Sequence, residues 1–290
     1  MKGLRRGMLA ALTLAHALVA SAADAVDIDY RLRADRDVIA EHVVEDITSV
    51  KVLVDKGLVA RSEASGFRLP NSRHVVSRER YRFTTGPAEA DGSFRATLSV
   101  LDRQTSLRQF NGEEQPVPNL PNLDDLKFQA NVDAQGKLGQ PSLQAPGLEG
   151  ERREAVQLLL ASVLEQATRV DPLRVETDKP AQQSFRMKLP LPGVPPIDLR
   201  MSITNRLIDV VDGQARIELV YVMDFQLPDG PMKMDASGSG GGTMLYDTST
   251  RLASRIETST LLNIVTELPD GTLEMQMNSR RTQTMRAAER

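Results

Sequence analysis

The run Gly238-Ser239-Gly240-Gly241-Gly242 has the composition of a loop that cradles phosphate. Such a loop follows a strand, opens a helix, and is completed by a lysine with serine or threonine, or by a later acidic residue. Here the glycines lead into the apolar stretch Thr243-Met244-Leu245-Tyr246, and no lysine follows. We therefore read a glycine-rich strand, in which missing side chains permit a sharp bend or a close backbone approach.

Other chemistry is thin. Outside the leader only His42 and His74 remain as histidines, and a metal site would need them adjacent in space. Hydrolysis by a serine requires a nucleophile, a base and an orienting group. The run Ser237-Gly-Ser-Gly lacks the strand–turn–helix setting of a nucleophile elbow. Apart from Met1 and Met8, every methionine falls between Met187 and Met285. The pairs Met232-Lys-Met234 and Met275-Gln-Met277 each set two thioethers on one strand face, an arrangement that soft Cu(I) accepts. Methionine also fills irregular apolar space and suits adaptable binding surfaces, and that reading is preferred. The candidate ligand-binding residues are thus Met223, Phe225, Met232, Met234, Met275 and Met277, with Leu160 and Leu164 from a facing helix. Arg78, Arg80 and Arg82 form a basic stripe on one strand, read as a solvated sheet face. No catalytic residue, metal or cofactor is expected, so the chain is not read as an enzyme.

The elements that must position these residues follow from pattern. Lys2, Arg5 and Arg6, an apolar run from Met8 to Val19, and Ala20-Ser21-Ala22 make a tripartite secretory leader over 1–22. Its removal takes the formal charge from −3 to −6, which offers nothing to nucleic acid. No later window is long and apolar enough to span a membrane as a helix. An outer-membrane barrel would need aromatic girdles, and aromatics are 4% of the chain with no tryptophan. Cysteine is absent, so neither disulfides nor lipid attachment at cysteine is available. A periplasmic or secreted protein, not lipidated, is the expectation.

Alternation of period two marks strands. It runs from Ile28 to Ala34, through a valine-rich run from Val38 to Val59 turning at Lys56-Gly57, and through Ser77 to Phe83. It recurs from Phe94 to Val100 and from Ala215 to Leu227. Residues 151–169 form an amphipathic helix with Val156, Leu159, Leu160, Val163, Leu164 and Ala167 on one stripe. Pro180 to Pro196 is proline-rich and suits a linker or an edge segment. Turn signals recur in order: Asp91-Gly92 and Asp212-Gly213, then Val132-Asp133-x-x-x-Lys137-Leu138 and Tyr246-Asp247-x-x-x-Arg251-Leu252. The fold class is mainly β: two related antiparallel curled-sheet units, half-barrel or sandwich-like, with one amphipathic helix between them. The divisions are a leader (1–22), a first β unit (23–147), the helix (148–170), the linker (171–198) and a second β unit (199–290).

The Tyr30-x-Leu32 strand, the Val132-Asp133-x-x-Gly136-Lys137 hairpin, the helix and the Gly238-to-Asp247 strand resemble a family of exported bacterial proteins known as a domain of unknown function. More distantly, the plan is similar to the half-barrel lipid and lipoprotein carriers of the bacterial envelope. The resemblance implies an exported, non-catalytic protein that binds a lipid, another apolar ligand or an envelope protein partner. A purely structural or assembly role without a cavity is the alternative, and a hydrolase is a distant third.

Overall fold

The computed structural model describes residues 24–29, 31–55, 57–64, 71–109, 114–115, 126–144, 149–150, 153, 172–191, 194–226, 233–269 and 271–288. The leader, Met232 and the helix expected over 151–169 (Arg153 excepted), with Leu160 and Leu164, lie outside these residues.

Two short strands, β1 (Ala25–Ile28) and β8 (Leu173–Glu176), pair antiparallel as a small sheet. All others join one open antiparallel sheet of 12 strands. In the first half of the chain these are β2 (Asp37–Asp55), β3 (Asn71–Thr85), β4 (Phe94–Gln109), β5 (Glu114–Gln115), β6 (Lys127–Val132) and β7 (Ser142–Gln144). The second half supplies β9 (Ala181–Leu191), β10 (Val194–Val211), β11 (Gln214–Gln226), β12 (Lys233–Asp247), β13 (Leu252–Leu268) and β14 (Gly271–Ala287). Their order across the sheet is β7-β6-β4-β3-β2-β14-β13-β12-β11-β10-β9, with β5 beside β4. The mainly β expectation thus holds. Strands from both halves of the chain share the large sheet, because β2 and β14 hydrogen-bond to each other at its middle, from Val38↔Ala287 to Asp55↔Gly271.

Local chemistry explains the turns. Asp212 and Gly213 both have positive φ, as a two-residue hairpin of the type I′ class demands. At the β6 turn Asp133 Oδ1 accepts from the Gln135 and Lys137 amides (3.0 and 2.8 Å). At the β12–β13 turn Asp247 Oδ1 accepts from the Ser249 and Thr250 amides (2.8 and 2.9 Å). The Ser249 hydroxyl, followed by the Thr250 amide, holds the Asp247 carboxyl below its usual value. The proline-rich stretch includes the edge strand β9, with Pro190 in it, and the start of β10, where the register shifts between Val194 and Ile197 around Pro195 and Pro196.

Two local departures have clear causes. The alternation from Ile28 to Ala34 is strand only as far as Ile28. Beyond it, buried Asp29 accepts from the Arg31 amide (3.1 Å), the Arg31 guanidinium (2.8 and 2.9 Å) and Arg33 (3.1 Å), which folds the chain on itself. After β2 comes a short helix, α1 (Leu58–Ala64), that periodicity did not indicate. Its start is capped by Asp55, whose Oδ1 accepts from the Gly57 and Leu58 amides (2.7 and 3.1 Å).

The core sits at one end of the sheet. Val26, Ile28 and Val175 of the small sheet pack onto Leu207, Ala215, Ile217, Met244, Tyr246 and Ala253 of the large one. Phe94, Ala96 and Val132 form a second cluster, with Leu32, Ala34 and Phe83 against it. The fully buried Tyr246 hydroxyl accepts from the Asp29 amide (3.1 Å), so this tyrosine ties the two sheets together.

Candidate functional site

Cross-strand partners share a face, so the register can be read as rows running across the sheet. The lowest of these rows is Leu207, Ile217, Met244, Ile256, Gln283, His42, Glu79 and Arg103. Above it lie Asn205, Leu219, Gly242, Thr258 and Arg281, then Ile203, Tyr221, Gly240, Thr260 and Ser279. Above those are Met201, Met223, Gly238, Leu262 and Met277. This is the inner face, the one that the small sheet covers at its lower end.

Burial falls along these rows. Leu207, Ile217 and Met244 are fully buried, whereas Met201, Met223, Phe225, Leu262 and Met277 are half-buried. The half-covered rows form a groove of about 750 Å³ across β9–β14, within the range of small-molecule sites. Leu199, Met201, Met223, Phe225, Leu262 and Met277 supply much of its apolar wall, and Asn205, Thr258, Thr260, Ser279 and Arg281 its polar points.

The glycine run makes the wall possible. A Cβ on Gly240 would come within 2.5 Å of the Tyr221 ring and 2.3 Å of the Ser259 carbonyl oxygen. Instead, Tyr221 lies flat across β12, donates to the Ser259 carbonyl (3.1 Å) and shares a hydrogen bond with the Thr260 hydroxyl (2.6 Å). At Gly242 a Cβ would sit 1.8 Å from the Glu257 carbonyl oxygen, so the sheet curls there as only glycine allows. The run is a bend in a strand and opens no helix.

The same face changes character toward β2–β4. Arg103 Nε lies 2.9 Å from Glu79 Oε1, and the Tyr81 hydroxyl donates to Glu79 Oε2. Burial, reinforced by the Glu79 carboxylate, pushes the Tyr81 phenol above its usual value. His42 is lowered from 6.5, first by burial and then by the Arg281 charge, with Glu79 opposing. His74 stands on the other face, its Nε2 2.9 Å from Glu45 Oε1, because β2 and β3 place Ile47 and His74 opposite to His42 and Glu79. The two histidines therefore cannot form one site. Among the described residues no group of three or more His, Asp or Glu is disposed to hold a metal.

The expected ligand-binding residues divide. Met223, Phe225 and Met277 come together in the groove. Met275 is on the same face one row beyond Met277 but does not line it, and Met234 is exposed on β12. Met232, Leu160 and Leu164 fall outside the described residues. Sequence reasoning passed over Leu199, Met201, Tyr221, Leu262 and Arg281 as site residues; the alternation that carries Tyr221 was visible, but which strands would stand beside one another was not. The basic stripe lies on the outer face, where Arg82 pairs with Asp37 (2.6 Å) and Arg78 borders a shallow depression with His74 and Arg108.

No protein-family model matches the chain, and no curated protein matches it in sequence. Among solved structures, a lipovitellin described for its lipid–protein interactions shares 7% identity at a TM-score of 0.46 over 87% of this chain. The match covers 26% of lipovitellin, so the chain spans about a quarter of that protein. Pseudomonas aeruginosa OpdD matches 88% of this chain and 100% of its own at 8% identity and a TM-score of 0.26. An outer membrane channel from Pseudomonas putida F1 matches 89% and 98% at 9% identity and a TM-score of 0.20. All these scores are low, and none bears on what this chain binds. Among the described residues no helix is long and apolar enough to cross a membrane.

Proposed function

We propose that this chain is an exported, non-catalytic carrier that holds a lipid or other apolar molecule against the inner face of β10–β14. The observation that carries the reading is the groove itself, a wall of buried Leu199 and half-buried Met201, Met223, Phe225, Leu262 and Met277 above a sealed core. A concave, mostly apolar wall with a few polar points is the usual form of a small-molecule site. Roughly twelve buried methylenes contribute about 10 kcal/mol before association costs of at least about 4 kcal/mol. The net, at most about 6 kcal/mol, corresponds to dissociation constants of about tens of micromolar or weaker, a range that solution binding assays reach.

Native mass spectrometry of protein purified from its own host tests this reading. A co-purifying lipid, lost on solvent extraction and regained on incubation with host lipid, is expected. Reproducibly empty protein that regains nothing would overturn it.

A second reading, an assembly role with a protein partner, has its own support on the outer face. There Ile47, Val220, Val222 and Leu261 are exposed around one depression of about 790 Å³. Empty protein that co-purifies with a fixed partner would favour that role.

A further inference from the structure

The carrier reading specifies an apolar tail and leaves the head of the ligand open, and any assignment of that head rests on the same reading. The row Asn205–Leu219–Gly242–Thr258–Arg281 is where the groove meets the sealed core, and it is the first row with polar side chains at both flanks. Asn205 is 1% exposed, lines the groove, and its Nδ2 has no hydrogen-bond partner among the described residues. An orphaned donor beside an apolar groove calls for an acceptor in the ligand. On the other flank Arg281 is the one charged residue among the described lining residues, directly across from Thr258.

Its surroundings leave Arg281 available. Among the described residues its Nε approaches the Ser279 hydroxyl (3.4 Å), and no described carboxylate pairs with it. Of the neighbouring acids, Glu79 is held by Arg103 and Tyr81. Asp46, cross-strand from Ser279, does not line the groove. His42 is kept toward its neutral form by burial.

Length agrees with an acyl chain. From Asn205 up to Leu199 the strand rises about 20 Å, against about 15 Å for the acyl layer of a single leaflet. We propose that the groove selects a single-chain amphiphile with an anionic head, carboxylate or phosphate. The head lies at the Arg281–Thr258 level and the chain along Met201, Met223, Leu262 and Met277. The Arg281 guanidinium donates to the anion and Thr258, on the adjacent strand, adds a hydroxyl donor.

The test is displacement of bound cis-parinaric acid from the full chain by palmitic acid, hexadecyl phosphate and hexadecanol. At least one of the two anions is expected to displace at about tenfold lower concentration than the alcohol, as charge-assisted hydrogen bonds require. The stronger of the two identifies the head. Arg281→Gln should weaken the anionic probe itself and abolish that preference, with the dissociation constant of the alcohol, corrected for the probe's own affinity in each protein, changing less than about twofold, and Thr258→Val should reduce the preference in the same direction. Equal displacement by acid, phosphate and alcohol, or a preference that survives Arg281→Gln, overturns the anionic head and leaves the carrier reading standing. If the folded protein binds none of the four compounds, the carrier reading falls with it.

Discussion

The phenol of Tyr221 crosses β12 over Gly240 and is bonded on the far side to β13, at the Ser259 carbonyl and the Thr260 hydroxyl. The glycine and the tyrosine therefore act as a pair, one supplying the space that the other occupies. Gly240→Ala should destabilise the fold by about 3 kcal/mol through overpacking against both the ring and the backbone. Tyr221→Phe should cost only about 1 kcal/mol, the net value of its hydrogen bonds. Urea denaturation of the two variants measures the difference, and an alanine variant as stable as the parent would remove the claimed contact.

Core floor and groove wall should respond differently to truncation. Ile217→Ala removes a fully buried side chain between the two sheets and should cost about 3 kcal/mol. Phe225→Ala, on the half-buried wall, should cost much less than that while weakening uptake of an apolar fluorescent probe. Similar stability losses for both would mean that the wall is packed like the floor.

Asp29 sets an acid limit. The Arg31 guanidinium, opposed by burial and helped by Arg33, holds its carboxyl well below 3.8. The stability it contributes is complete above about pH 4 and is lost as pH falls below that, when the unfolded chain takes up the proton first. Asn in place of Asp29 should lower stability at pH 7 by about 2 kcal/mol and flatten the decline at acid pH. Thermal melts from pH 7 to pH 2 of both proteins provide the comparison.

The effect of His42 occupies a higher window. Its value is depressed below 6.5, so the unfolded chain binds the proton more readily than the folded one. Stability from this residue is present above about pH 6.5 and declines below it. His42→Gln should remove that step, seen as a melting temperature that no longer drops between pH 7 and pH 5. A drop of undiminished size in the variant would assign the step elsewhere.

What was legible in the sequence was local. The alternation from Ala215 to Leu227 became β11 almost residue for residue, and Asp212-Gly213 became its turn, because both depend on chemistry within a few positions. The bend at the glycines was legible for the same reason. The groove was not, since it exists only through register: Met223 meets Met277 by way of Gly238 and Leu262, on four different strands. The pairing of β1 with β8 was also hidden, because each strand is four residues long and its partner is far away in the chain. Asp55 as a helix cap could have been read, but the valine-rich run before Gly57 masked it.

The middle of the sheet joins the first long strand to the last, with Ala40 beside Met285. During synthesis β14 emerges after every other described strand, so the central zipper cannot close until those strands have been made. A chain stopped short would present two raw strand borders where the finished molecule has an interior seam, and unpaired borders of that kind invite other chains to dock. Pairing between such distant segments is also slow. Quality control, more than final stability, is therefore the stage at which damage to β14 should first be felt.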